Sequence, residues 1–175
     1  MIKPLTSAVL YVLFTILCSN PLRAQTGFVM GEHGTLLKTN SGGAEWVQIP
    51  TGTTKGLWNS FFVNSQTGWI AGGAESGSSG VLLKTTDNGE TWSEVLTGIT
   101  NRWFTGVFFL DMQTGFVVGE HGTVLKTTDS GISWDSANTG ITNILLESIS
   151  FTDMNTGWIT GWSGALFKST DGGSN

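Results

Sequence analysis

Apolar positions in this chain come in short bursts rather than long stretches. One set of bursts, Leu57–Phe62, Phe104–Phe109 and Leu146–Phe151, mixes large apolar with small polar residues over six positions. A second set, Phe28–Gly31, Trp69–Gly72, Phe116–Gly119 and Trp158–Gly161, starts on an aromatic and closes on glycine. A third, Thr35–Lys38, Val81–Thr85, Thr123–Thr127 and Ala165–Lys168, carries a lysine at or near its end, and a fourth begins at Trp46, Trp92 and Trp134. Clusters of Gly, Asn, Asp and Ser separate the bursts, and none of the longer windows shows helical periodicity. Runs of this length and spacing predict an all-β protein of short strands, here lettered A to D in chain order.

The turn between strands C and D is written almost identically each time. Thr85-Thr86-Asp87-Asn88-Gly89-Glu90-Thr91-Trp92 returns as Thr127-Thr128-Asp129-Ser130-Gly131-Ile132-Ser133-Trp134. A degenerate copy runs from Thr39 to Trp46, and Ser169-Thr170-Asp171-Gly172-Gly173-Ser174-Asn175 is a fourth that lacks its tryptophan. Each position has a structural task. The aspartate accepts hydrogen bonds from backbone N–H groups just ahead of it. Gly89, Gly131 and Gly173 supply a positive φ. Trp92 and Trp134 carry apolar surface into the layer between sheets, with the indole N–H near an acceptor. A carboxylate repeated as a fixture of every unit is structural rather than catalytic or metal-binding.

Asp87 and Asp129 are 42 residues apart, as are Asp129 and Asp171. A second marker, Thr-Gly-aromatic, recurs at Thr26-Gly27-Phe28, Thr67-Gly68-Trp69, Thr114-Gly115-Phe116 and Thr156-Gly157-Trp158. Four short strands per period of this length predict the blades of a β-propeller, with units at about 26–56, 57–103, 104–145 and 146–175. The second unit inserts a Gly- and Ser-rich loop, Gly73–Gly80, between strands B and C, and the first unit has no strand A of its own. About three and a third blades are present, fewer than the roughly four to eight that close a ring, so an incomplete propeller is expected, a fragment of a longer protein.

Residues 1–24 break the pattern. Lys3 precedes the apolar run Ala8–Leu17, and Leu22-Arg23-Ala24-Gln25 follows a polar patch, the layout of a secretory signal peptide cut after Ala24. The run is short for a membrane span, and Leu17 is bulky where a lipoprotein site at Cys18 would want a small residue. Cleavage removes Lys3, Arg23, Tyr11 and the lone cysteine. Residues 25–175 then hold 6 basic against 13 acidic side chains, a net charge of about −7. That predicts an exported chain without disulfides, and argues against nucleic acid as a partner and against membrane insertion after cleavage.

With its Asp-box turns, its Thr-Gly-aromatic marker and the Gly119-Glu120-His121-Gly122-Thr123 type of hairpin, the chain from Thr26 to Asn175 resembles the photosystem II stability/assembly factor family, a group of Asp-box (BNR) repeat propellers with many exported bacterial relatives. The resemblance implies a seven-bladed, non-enzymatic scaffold that binds protein partners, in photosynthetic organisms an assembling photosystem II subunit. Such proteins present basic residues to their partners; here Arg102 is the one arginine left after cleavage.

The remaining chemistry is thin. Glu32-His33 and Glu120-His121 invite a metal reading, but the copies lie two units apart without a third ligand, and polar hairpin tips account for them. Lys38, Lys84, Lys126 and Lys168 share one repeat position and so serve strand C. Lys55 and Arg102 align in successive D–A loops, close to Trp58 and Trp103, and form a candidate contact point for a partner. Trp162, standing where other units have Glu-His, joins them on the face where units differ. A sialidase needs several arginines and a tyrosine, which residues 25–175 lack; Asp111 and Asp153 are turn residues, and Asp135 and Glu147 stand alone. No catalytic, cofactor or metal site is expected. A protein partner is the primary expectation, and a glycan-binding protein or glycoside hydrolase with its catalytic residues beyond residue 175 is the alternative.

Overall fold

The structure, a computed structural model, describes residues 15–16, 26–74 and 79–174. Four antiparallel sheets follow one another along the chain. The first holds β1 (Thr15–Ile16), β2 (Gly27–Met30), β3 (Leu36–Thr39) and β4 (Val47–Gln48). The second holds β5 (Gly56–Phe62), β6 (Gly68–Gly73), β7 (Val81–Thr85) and β8 (Ser93–Glu94). The third holds β9 (Phe104–Phe109), β10 (Gly115–Gly119), β11 (Val124–Thr127) and β12 (Asp135–Ser136), and the fourth β13 (Leu146–Phe151), β14 (Gly157–Gly161) and β15 (Ala165–Ser169). These are the predicted strands A to D, within a residue or two at each end. Each sheet is a meander whose inner strands β5, β9 and β13 pack on one another. The chain is thus an arc of propeller blades. No described helix is long and apolar enough to cross a membrane.

The first blade departs from expectation. It is predicted to lack strand A, yet Thr15–Ile16 pairs antiparallel with Gly27–Phe28 and occupies that place. The reason is local: an apolar run suited to a signal peptide is also suited to a strand. The rest of the predicted leader lies outside the described residues, as do Glu75–Ser78 of the inserted loop.

Apolar residues of facing sheets make one core per interface. Strand B of each blade presents an aromatic ring to the last residue of strand A in the next. Phe28 stacks on Phe62 at 4.9 Å, Trp69 on Phe109 at 3.7 Å, and Phe116 on Phe151 at 4.9 Å. Trp92 closes the first of these stacks edge-on, 6.3 Å from Phe28 and 5.9 Å from Phe62, and Trp134 meets Phe109 at 5.9 Å. The glycine of the Thr-Gly-aromatic marker has a packing reason. A Cβ at Gly68 would fall 2.6 Å from the Phe62 ring.

Turn chemistry follows the predicted plan with one addition. Thr85 Oγ1 donates to Asp87 Oδ1 (2.7 Å) and accepts from the Gly89 amide (2.9 Å). The Asp87 carboxylate accepts from the amide and hydroxyl of Thr91. Thr127, Asp129, Gly131 and Ser133 repeat the set, and Ser169, Asp171, Gly173 and Ser174 repeat most of it. Not only Gly89 (φ 74°) but also the residue before it, Asn88 (φ 62°), is left-handed; Ser130 and Gly131 match them. The indole N–H of Trp92 reaches Gly89 O at 3.2 Å, but that of Trp134 finds no acceptor among the described residues.

The strand-C lysines hold one blade to the next. Lys38 Nζ donates to Asn88 O (2.6 Å) and Glu90 Oε1 (2.7 Å), Lys84 Nζ to Ser130 O (2.7 Å), and Lys126 Nζ to Gly172 O (3.0 Å). Each ammonium therefore answers the Asp-box turn of the following blade. On the way it crosses the strand-B ring of its own blade, Phe28, Trp69 or Phe116, at 5.2–5.8 Å. Lys168 lies 5.0 Å over Trp158 in the same manner.

Candidate functional site

The arc has two faces built by different means. On one, each Asp box bonds back to the A–B turn of its own blade: the amides of Asn88, Ser130 and Gly172 donate to Gln66, Gln113 and Asn155 carbonyls. Asp111 and Asp153 close those turns by accepting two amides each, from Gln113 and Thr114 and from Asn155 and Thr156. The consequence is electrostatic. The Thr91 hydroxyl and amide, then the Thr85 hydroxyl, lower Asp87 to about 2, and Ser133 does the same to Asp129. Amide donors likewise hold Asp111 and Asp153 below the usual carboxylate range. Carboxylates tied in this way are poor proton donors near neutrality. Asp171 and Gly173 sit at the corresponding place in the fourth blade.

The opposite face is made by B–C turns and D–A loops. Gly34, Gly80 and Gly122 donate their amides to the carbonyls of Lys55, Arg102 and Ile144, so each hairpin tip leans on the loop that enters the next blade. Lys55 and Arg102 do align, as the repeat predicts, and both are engaged within the chain. Lys55 Nζ holds Ser79 Oγ (3.1 Å) and Gly80 O (3.0 Å) and lies 3.8 Å from Glu94. Exposed Arg102 bonds Thr123 Oγ1 at 3.1 Å through Nη1.

Trp58 and Trp103 occupy different repeat positions, yet the structure brings them together edge to face at 6.1 Å. Trp58 lies over Gly56 and donates to Gly73 O. Its direction comes from a β-bulge: pairing with β6 skips it, between Leu57 and Asn59. Irregularities at the same point of β9 and β13 fall on Thr105 and Glu147. A bulge re-aims one side chain off the regular alternation. The strand pattern alone gives no hint of it, because Trp58, Thr105 and Glu147 share no chemistry. Bulged Glu147 is exposed and accepts the indole N–H of Trp162 at 2.8 Å; Trp162 is 60% exposed. In the third blade Glu120 Oε2 takes the Trp103 amide instead. His33 and His121 stand at left-handed, exposed hairpin tips (φ 57° and 53°). No cluster of three metal-ligating side chains occurs among the described residues.

A cavity of 160 Å³ between the third and fourth sheets is lined by Phe116, Ile149, Phe151, Ile159, Phe167 and Gly173, among others. Trp92 fills the equivalent position against Phe28 and Phe62. The cavity is therefore a packing position between blades rather than a seat for chemistry.

The sequence model of the family described as photosynthesis system II assembly factor YCF48 matches residues 4–101 and 97–175. The chain belongs to this family. No curated protein matches it by sequence. YCF48 from Cyanidioschyzon merolae superposes with a TM-score of 0.68 at 17% identity, over 89% of this chain and 50% of that one. A YCF48 bound to D1 peptide gives 0.57 at 18% identity, over 95% and 81%. The Niastella koreensis GH74 enzyme gives 0.68 at 19% identity, over 86% of this chain and 27% of that one. The structural likenesses carry the propeller fold; the family match carries the YCF48 relationship. This YCF48-family chain spans half the length of the C. merolae protein.

Proposed function

We propose that this chain is an exported, non-enzymatic propeller scaffold that binds a protein partner through the face made by its B–C turns and D–A loops. The observation that carries the reading is the contrast between the two faces. The Asp-box rim repeats its hydrogen bonds from blade to blade. The other face shares its hairpin-to-loop bond and, in the first and third blades, a Glu-His tip, but carries Trp58, Trp103 and Trp162 at positions that do not repeat. Specific recognition uses surface that the repeat itself does not require, and aromatic anchors are its usual currency. Membership of the YCF48 family and the D1 peptide bound by one YCF48 support a polypeptide ligand. Export rests on the layout of Met1–Ala24. Lys55 and Arg102 contribute by pinning the loops that shape the face.

The test is photocrosslinking in the producing organism, with a crosslinker replacing Trp58 on this face or Thr91 on the rim. A discrete protein adduct is expected from position 58 and none from 91. The double change Lys55→Ala, Arg102→Ala then weakens binding of that protein while leaving the unfolding midpoint nearly unchanged. Adducts from the rim alone, or oligosaccharide binding lost in Trp58→Ala, refute the reading; the second result favours a glycan ligand, the alternative that the GH74 likeness keeps open.

A further inference from the structure

Asn88 and Gly89 form the one Asn-Gly step in the sequence. In such a step no Cβ shields the glycine nitrogen, which can attack the side-chain carbon of the asparagine before it. The glycine is required by the fold. Its φ is 74°, and a Cβ would fall 2.5 Å from the Phe28 ring of the first blade. The asparagine is not required: the equivalent residues of the other boxes are Gly42, Ser130 and Gly172. The second blade alone thus sets a chemically labile pair into its Asp box.

The fold holds this pair from two sides. The peptide joining Asn88 to Gly89 donates its N–H to Thr85 Oγ1 at 2.9 Å, within its own blade. The carbonyl of the same peptide accepts the Lys38 ammonium at 2.6 Å, from the preceding blade. Ring closure needs the Gly89 nitrogen to lose its proton, which breaks the bond to Thr85. It also needs that peptide to rotate out of the left-handed arrangement of Asn88 (φ 62°) until the nitrogen meets Asn88 Cγ, which breaks the bond to Lys38. Thr85 travels with the turn, but Lys38 belongs to the other side of the seam. Separation of the first blade from the second removes its hold and exposes the buried glycine.

We propose that Asn88 is a deamidation site gated by the seam between the first and second blades, so that its conversion records opening of that seam. The deprotonated Gly89 nitrogen bonds to Asn88 Cγ, the side-chain nitrogen leaves as ammonia, and a cyclic imide remains. Water then opens the ring at either carbonyl, giving aspartate or isoaspartate; a water enters, an ammonia leaves, and no oxidation state changes. The mark is one-way. Aspartate adds a carboxylate between Asp87 and Glu90. Isoaspartate lengthens the main chain between the amide held by Gln66 and the carbonyl held by Lys38, and spoils their register.

The test is peptide mass spectrometry of the full chain incubated at mildly alkaline pH, with the two products at position 88 separated by chromatography. The chain unfolded in urea should convert at least about tenfold faster than the native chain. Lys38→Met should speed native conversion about five- to twentyfold, whereas Lys84→Met, which loosens the next seam, should leave it near the parent rate. Asn88→Ser should abolish the modification and keep the unfolding midpoint, since serine serves at position 130. In the parent, urea below the unfolding transition should raise the rate less steeply than it raises the unfolded fraction, the signature of a local opening. That last measurement decides the matter even where Lys38→Met does not fold. Equal rates in native and unfolded protein, or conversion in neither, overturn the proposal. So do a folded Lys38→Met without acceleration, equal acceleration by the two lysine changes, and a urea dependence that matches global unfolding.

Discussion

Replacing Lys84 by Met removes a charge and keeps the apolar stem. Its ammonium donates to Ser130 O at 2.7 Å and lies 5.2 Å over Trp69, on a half-buried side chain. A hydrogen bond to a charged donor contributes about 1.5–3 kcal/mol, and a cation over a partly exposed ring about 0.5–1 kcal/mol. Methionine returns part of this by escaping the desolvation of the ammonium. A net loss of about 2 kcal/mol is expected for Lys84→Met. Lys38 supplies the internal comparison, because its ammonium donates to Asn88 O at 2.6 Å in a different turn. The assay is urea unfolding of the full chain followed by indole fluorescence, with hydrogen exchange at Ser130 and Gly131 as the local readout. Exchange at those amides should quicken in Lys84→Met and not in Lys38→Met. Unchanged exchange at Ser130 and Gly131 in Lys84→Met would refute the idea that the lysine acts through the neighbouring blade.

Three further outcomes are expected. Asp87 and Asp129 have folded pKa values near 2, below the unfolded value, so their contribution is complete above about pH 4 and is lost as pH falls towards 2. Acid titration followed by near-UV circular dichroism should show a transition there, flattened in Asp87→Asn with Asp129→Asn. Thr85→Val removes a 2%-exposed hydroxyl that both donates and accepts, and should cost about 2 kcal/mol in urea unfolding, leaving the Gly89 amide without its partner. Exported protein should begin at Gln25 by mass spectrometry; intact Met1–Ala24 would refute cleavage and leave β1 in the first sheet.

Much of the architecture can be read from spacing because the determinants are local. An Asp box needs its own eight residues, and the aromatic after Thr-Gly announces strand B without reference to anything distant. Lys38, Lys84, Lys126 and Lys168 mark the boundary of that legibility. Their common repeat position shows a shared task, but the acceptors at Asn88, Ser130 and Gly172 lie about fifty residues further on. The same boundary hides the candidate site. Trp58 and Trp103 meet only because a bulge turns one of them, and Glu147 meets Trp162 for the same reason. Thr15–Ile16 is a third case, since a leader and a strand draw on the same apolar vocabulary and only the open edge of β2 distinguishes them here.

The lysine contacts also bear on how such a chain can change over time. A blade's lysine is matched to the next blade's turn, so each contact reaches across a full repeat and the energetic unit straddles two sequence units. Duplicating or deleting a whole repeat preserves every match, because each new junction again sets a lysine against an Asp box. A cut made inside a repeat, between lysine and box, is equally harmless. Altering a single turn is different: its effect appears as a looser fit of the preceding blade, whose own sequence is untouched. Blade number can thus drift while the interface rule stays fixed, and compensating changes belong in neighbours.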